Sequence, residues 1–288
     1  CYYLFNSKLD DKYLYYALKS QQNRLMKIRS GACMPNIKKS DLGDFKFTYE
    51  TNELEQKEIV KRLDKVNDLI EIRKQQLSKL DELVKSRFIE MFGDPVINPK
   101  GWQKKKLSDE CDIVTGNTPS RKVPEYYGDY IEWIKSDNIN TPSAILTQAT
   151  EFLSQIGLKV GRYVNTGAIL MTCIAGSIGC IGNVAIADRK VAFNQQINAI
   201  IPNANNTWFM YVLFELTKKN TQSSINMALK GILSKGQLSE MEFIFPPIEL
   251  QNEFATFVEQ TDKLKFEVKQ SLEQLETLKK SLMQQYFG

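Results

Sequence analysis

The chain has 288 residues, 42% of them hydrophobic, and 38 Lys and Arg against 34 Asp and Glu leave a formal net charge of +4. That length and apolar content support folded cores in one or two domains, and so mild a charge does not by itself announce a nucleic-acid binder. Histidine is absent, which excludes Ser-His and Cys-His nucleophilic pairs, imidazole general bases and His-containing metal sites.

In chain order, residues 1–50 open on Cys1 rather than Met and read as a fragment or a processed piece of something larger. A charged segment follows, "LEQKEIVKRLDKVNDLIEIRKQQLSKLDELVKSRFIEMFG" (Leu54 to Gly93). Its Ile59, Leu63, Val66, Ile70, Leu77, Leu80, Val84 and Met91 fall on steps of four and three, with Arg73 and Arg87 interrupting the register. That is a heptad seam, and it predicts a long coiled-coil helix over 51–93. At ~1.5 Å per residue such a helix is roughly 55 Å long, more than one small domain buries alone. Gly93, Pro95, Pro99 and Gly101 in "FGDPVINPKGW" then end the helix and start a unit of different composition, 94–247.

Within that unit "YIEWIKSDNI" (Tyr130 to Ile139), "AILMTCIA" (Ala168 to Ala175), "GNVAIA" (Gly182 to Ala187) and "INAIIP" (Ile197 to Pro202) are short, apolar or β-branched and bounded by turn residues, so they read as strands. Asn206 offers an N-cap to the helix "TWFMYVLFELTKKN". The five cysteines, Cys1, Cys33, Cys111, Cys173 and Cys180, contain no C-x-x-C pair, which argues against a disulfide framework or a thiolate zinc site and for a cytoplasmic setting. "GSIGCIG" (Gly176 to Gly182) lacks the Lys-Ser/Thr ending of a P-loop and the G-x-G-x-x-G spacing, so tight turns between strands are its expected role. "FPPIE" at Phe245 has Phe where an amino-methyltransferase tetrad needs Asn or Asp, and no nuclease E-x-K cluster surrounds Asp129 and Glu132. No residues carry an enzymatic reading. No membrane span or signal peptide is visible.

The last segment, 248–288, repeats the first long one. "LQNEFATFVEQTDKLKFEVKQSLEQLETLKKSLMQQYFG" aligns without a gap from Gln56 on Gln251 to Gly93 on Gly288, and carries a less regular seam of Phe257, Leu264, Val268, Leu275, Leu278 and Leu282. Upstream, "YLYYALKS" from Tyr13 pairs with "FMYVLFEL" from Phe209, and "DLGDFKF" from Asp41 with "QLSEMEF" from Gln237. Packing the two seams against each other, antiparallel, hides both; two independent surface helices are the alternative. The expected fold class is α+β: a mixed α/β domain plus long helices pairing as an antiparallel coiled coil.

The ordered set "PKGWQKKKLSDECDIVTGNTPS", "GDYIEWIKSDNI", "GAILMTCIAGSIGCIGNVAIA", "FNQQINAIIP" and "LSKGQLSEMEFIFPPIELQNEF", with a coiled segment after each unit, resembles the DNA specificity subunits of type I restriction-modification systems across essentially the whole chain. The resemblance implies target-recognition domains that each read one half of a bipartite double-stranded DNA site, and long helices that space them. It implies a non-catalytic subunit without a cofactor of its own. S-adenosylmethionine, ATP and Mg belong to its partners, two modification subunits and, in the full complex, a restriction subunit. Against that pattern residues 1–50 match only the distal part of a first recognition domain, and the rest is either supplied by a partner or a second copy of the chain or lost by truncation. A coiled-coil scaffold that binds only protein is the alternative function.

Base edges are read by Arg, Lys, Asn or Gln, and phosphates are held by Lys, Ser, Thr and backbone amides. The long polar loop "TGNTPSRKVPEYYG" offers Thr118, Ser120, Arg121 and Lys122, against the alternative of a solvated basic turn. "WIKSDNIN" adds Lys135, Ser136 and Asn138, where an Asx-type turn by Asp137 or Asn138 is the competing role. Ser177 with its neighbouring amides is a phosphate candidate; Asn194 and Gln195 either meet bases or hold the fold. Lys230 and Lys235, beside glycines, complete the candidate set.

Overall fold

The structure is a computed structural model that describes residues 9–30, 36–223, 225 and 231–288. In chain order the helices are α1 (Asp11–Ser20), α2 (Gln22–Lys27), α3 (Lys39–Gly43), α4 (Glu53–Phe92), α5 (Leu107–Glu110), α6 (Gln155–Val160), α7 (Thr207–Ser223), α8 (Lys235–Glu240) and α9 (Ile248–Phe287). The strands are β1 (Lys104–Lys106), β2 (Cys111–Thr115), β3 (Tyr127–Ile134), β4 (Phe152–Leu153), β5 (Tyr163–Val164), β6 (Ile169–Thr172), β7 (Val184–Ile186), β8 (Val191–Phe193), β9 (Ile197–Pro202) and β10 (Glu242–Ile244). The chain divides into two compact units, Cys1–Leu80 with Lys263–Gly288, and Asp81–Asp262. Both α4 and α9 contribute to each.

In the first unit, α1 is capped by the Asp10 carboxylate, which accepts from the Lys12 and Tyr13 amides. Its Tyr13, Tyr16 and Ala17 pack on Ile59, Val60 and Leu63 of α4 and on Phe287 of α9. The helices run antiparallel: Arg62 Nη1 donates to the Tyr286 hydroxyl at 3.0 Å and, further along α4, Arg73 Nε donates to Ser271 Oγ at 3.1 Å. The seam expected on α4 is buried at Ile59, Leu63, Val66 and Ile70. On α9 the expected seam is corrected, because Leu264 and Leu278 lie on the exposed face.

In the second unit, Phe88 and Phe92 of α4, Phe209 of α7 and Phe254 of α9 form an aromatic knot, with Phe88 stacked on Phe209 at 5.6 Å and edge-on to Phe254 at 5.4 Å. α4 stops where Gly93 adopts φ +79, a conformation that strains any residue with a Cβ. Its last carbonyls are satisfied by Lys100 Nζ, on Glu90 and Met91, and by Trp102 Nε1, on Phe92.

Two four-stranded sheets follow. The first, in the order β2-β9-β6-β7, is antiparallel; the second, β4-β3-β8-β5, has a parallel pair in β3 and β8. The expected strand Tyr130 to Ile139 is instead Tyr127–Ile134, followed by a 3₁₀ turn at Ser136–Asn138. The first sheet is a middle layer. Its Ile169, Met171, Val184 and Ile186 face the helix-side core with α7, while Leu170, Ala185, Ile197 and Ala199 face Ile134, Val164, Val191 and Phe193 of the second sheet. Burial on both faces explains why β6 and β7 are continuous apolar runs rather than alternating ones. The outer face of the second sheet keeps a small cluster of Ile131, Trp133, Leu153 and Ala192, with Tyr127 and Leu158 of α6 against it. A short ribbon of β1 and β10 ties the start of the unit to the strand before α9.

Candidate nucleic-acid interface

Antiparallel and parallel pairing together bring one set of strand ends into contact. Thr115 at the end of β2 faces Asn198 near the start of β9, Thr172 at the end of β6 faces Ile197, and Ile134 at the end of β3 faces Phe193 of β8. The loops leaving those ends bind one another. The Gly116 and Asn117 amides donate to the Ile197 and Phe193 carbonyls at 3.0 and 3.1 Å, and the Asn194 amide donates to Ile134 at 3.0 Å. Cys173 and Ile174 donate to the Gln196 carbonyl at 2.8 and 3.1 Å, and Leu233 donates back to Cys173 at 2.9 Å. The loops 116–122, 135–138, 173–177, 194–196 and 231–235 are therefore tied to one another at the strand ends, the first two and 194–196 being the most polar. Gly116 is required there, because a Cβ would lie 2.1 Å from the Asn194 carbonyl oxygen.

The sequence candidates fall into three groups in these loops. Thr118 hydrogen-bonds Gln195, joining two of the loops, and both side chains are exposed. Ser120 and Lys122 are also exposed, Ser136 is half-buried, Ser177 is exposed in the β6–β7 connection, and Lys235 is exposed at the start of α8. Asn138 and Asn194 are placed inside. Asn138 Oδ1 accepts from the Lys135 amide at 3.0 Å and its Nδ2 donates to the Gln148 carbonyl at 3.0 Å; Asn194 Oδ1 accepts from the Gln196 amide at 3.0 Å. Those bonds shape the turns that present their neighbours. Lys230 lies outside the described residues.

Arg121 and Lys135 meet on one carboxylate that the sequence reading missed. Arg121 Nη2 donates to Glu151 Oε2 at 2.5 Å, and Lys135 Nζ donates to Glu151 Oε1. Beneath them, the Arg121 guanidinium lies 4.2 Å from the Tyr127 ring centroid and 5.1 Å from that of Trp133, with Lys135 Nζ 5.5 Å from the Trp133 centroid. The bond from Lys135, joined by that from Arg121, holds the Glu151 carboxyl below the usual carboxylate range against the opposing effect of burial. A short apolar run bounded by turn residues places Trp133 on a strand, but nothing local marks Glu151, which reaches the pair only through the pairing of β3 with β4.

Elsewhere in the unit the charges are structural. Arg189 grips Glu132 with Nε and Nη2 at 2.6 and 2.7 Å and depresses its pKa. Burial pushes the Cys111 thiol up to about 12 and the Cys173 thiol up to about 11, so neither is a nucleophile at neutral pH. Among the described residues no three His, Cys, Asp or Glu side chains are grouped to hold a metal ion. No described helix is long and apolar enough to cross a membrane.

The family described as "Type I restriction modification DNA specificity domain" matches residues 1–82 and 99–277. The chain is 32% identical over 164 residues to the type I restriction enzyme HindI specificity subunit of Haemophilus influenzae, covering 53% of this chain and 33% of that protein. It is 31% identical over 217 residues to the MjaIX specificity subunit of Methanocaldococcus jannaschii, covering 71% of this chain and 48% of that one. The chain thus spans between a third and a half of the length of these two relatives. In fold it resembles the S subunit of a type I restriction-modification system from M. genitalium, with a TM-score of 0.66 at 18% identity, over 98% of this chain and 73% of that one. With a family match that takes in the sheets, α7 and most of both long helices, the chain belongs to the type I restriction-modification DNA specificity family.

Proposed function

We propose that the loops gathered around the β2, β3, β6 and β8 ends read one half-site of a bipartite DNA target, and that α4 and α9 set the spacing and dock modification subunits. The observation that carries this reading is the convergence of Thr118, Ser120, Arg121, Lys122, Lys135, Ser136 and Gln195 on one set of linked loops, next to the strand ends and within a family of DNA specificity domains. Arg121, Lys135 and Gln195 supply the base-reading chemistry. Lys122, Lys235 and Ser177 supply phosphate contacts, and Asn138 and Asn194 hold the turns. The chain itself performs no methyl transfer. S-adenosylmethionine, ATP and Mg enter with two modification subunits and a restriction subunit, and a second copy of this chain is the further partner to test.

The test is selection from a randomised duplex pool by the chain alone and together with the modification subunits of its source. One enriched half-site under at least one combination is the expected result. Enrichment of no sequence under any combination overturns the reading and favours a scaffold that binds protein alone.

A further inference from the structure

We propose that Glu151 is a specificity-determining residue: it occupies Arg121 and Lys135 as a stand-in for phosphate, so that the two cations are surrendered to DNA only where base contacts compensate. The inference rests on the DNA-reading role proposed above and goes beyond it, because it assigns a role to an acidic side chain that would itself be repelled by DNA.

Three observations carry it. One carboxylate serves two cations, Oε2 for Arg121 and Oε1 for Lys135, so both are engaged by a single partner and the cluster keeps one net positive charge. The cluster is at the surface, with side-chain exposures of 56% for Arg121, 29% for Lys135 and 33% for Glu151. Pairs so exposed add little to stability, which leaves the arrangement poorly explained as a brace for the fold. The cations also have a second support. Tyr127 and Trp133 lie under them, edge-on to each other at 5.9 Å, and give the guanidinium an aromatic contact that does not depend on the carboxylate's charge.

These features make a competition. A phosphate offers the same paired oxygen acceptors as a carboxylate, and Arg binds either through its planar fork. On DNA of any sequence, exchanging Glu151 for phosphate gains little, because two charge-assisted bonds are broken for those made and the carboxylate is left beside the backbone. At the correct half-site, the released groups and the adjoining Gln195 and Thr118 also bond base edges. Glu151 therefore penalises the wrong sequence more than the right one, which is how a repulsive element creates discrimination.

The experiment compares wild type with Glu151→Gln, in the assembly that binds the selected duplex, on that duplex and on a scrambled one over a salt series. Gln keeps the shape and removes one negative charge. The expected result is a salt slope steeper by about 0.9 and scrambled-duplex binding about tenfold tighter at 0.1 M salt, with a smaller gain on the selected duplex, so that the specificity ratio falls. Arg121→Gln combined with Glu151→Gln restores the net charge and should return the slope to its wild-type value. An unchanged specificity ratio, whether or not the melting temperature drops, overturns the proposal. If Glu151→Gln does not fold, Glu151→Asp, too short to span both cations, must lower the ratio in the same direction or the idea fails. Wild type that binds no duplex in any assembly overturns the recognition reading and this one with it; wild type that discriminates while Glu151→Gln discriminates equally overturns this one alone.

Discussion

Gln56 and Gln251, the aligned residues that open the two repeated segments, perform the same task in different units. Gln56 is 1% exposed; its Oε1 accepts from the Asp10 amide at 3.1 Å and its Nε2 donates to the Glu50 carbonyl at 2.7 Å. Gln251, also 1% exposed, accepts from the Asn206 amide at 3.0 Å and donates to the Pro246 carbonyl and Asn205 Oδ1, each at 2.8 Å. Each glutamine thus holds the residue that caps a helix earlier in its own repeat, since Asp10 caps α1 and Asn206 caps α7. Gln251→Leu keeps most of the volume but strands a buried amide and carbonyl, so it should cost about 2–4 kcal/mol in urea unfolding. Glu132 is a second residue with a measurable signature. Its carboxyl is held below its ordinary value by the Arg189 bonds, so its contribution is present at neutral pH and is lost as pH falls through the depressed folded value. Glu132→Gln should lower stability by about 1–3 kcal/mol at neutral pH. Its melting curve should converge on wild type under acid conditions, as calorimetry across pH will report.

Among the elements, the long helices owe their pairing to a seam that the sequence displayed only in part. Ile59, Leu63, Val66 and Ile70 were legible because all four are aliphatic and fall on alternating steps of four and three. On α9 the buried residues of the first half include Thr261, 4% exposed, whose hydroxyl donates to the Phe257 carbonyl at 2.9 Å. A hydroxyl satisfied within its own helix can enter a seam, and a pattern read from apolar letters passes over it in favour of Leu264. Truncating the aromatic knot by Phe88→Ala removes a fully buried ring from the meeting of α4, α7 and α9, and is expected to cost about 3–5 kcal/mol by chemical denaturation. Strand β3 shows a different limit. Its apolar run was visible, yet it ends at Ile134 because Asn138 accepts from the Lys135 amide and turns the chain, a side-chain bond without a periodic signature.

For the whole molecule, the mild net charge of +4 concentrates the test on a few side chains. Lys122→Ala should weaken binding of all duplexes alike and reduce the salt slope by about one unit, whereas Arg121→Ala should also relax sequence preference. Fluorescence anisotropy on matched and scrambled duplexes separates the two outcomes. The sequence by itself determined the repeat, the long helices and the apolar strands, because heptad spacing, runs of β-branched residues and Gly-Pro punctuation are local consequences of backbone geometry. It also determined that histidine chemistry is absent. Only the tertiary structure decided which candidate side chains share a site. Thr118 meets Gln195, and Arg121 and Lys135 meet Glu151, through strand pairing across long stretches of chain. Asn138 and Asn194 turn inward for the same reason: whether a polar side chain faces solvent or closes a turn depends on which carbonyls and amides the fold brings within about 3 Å of it.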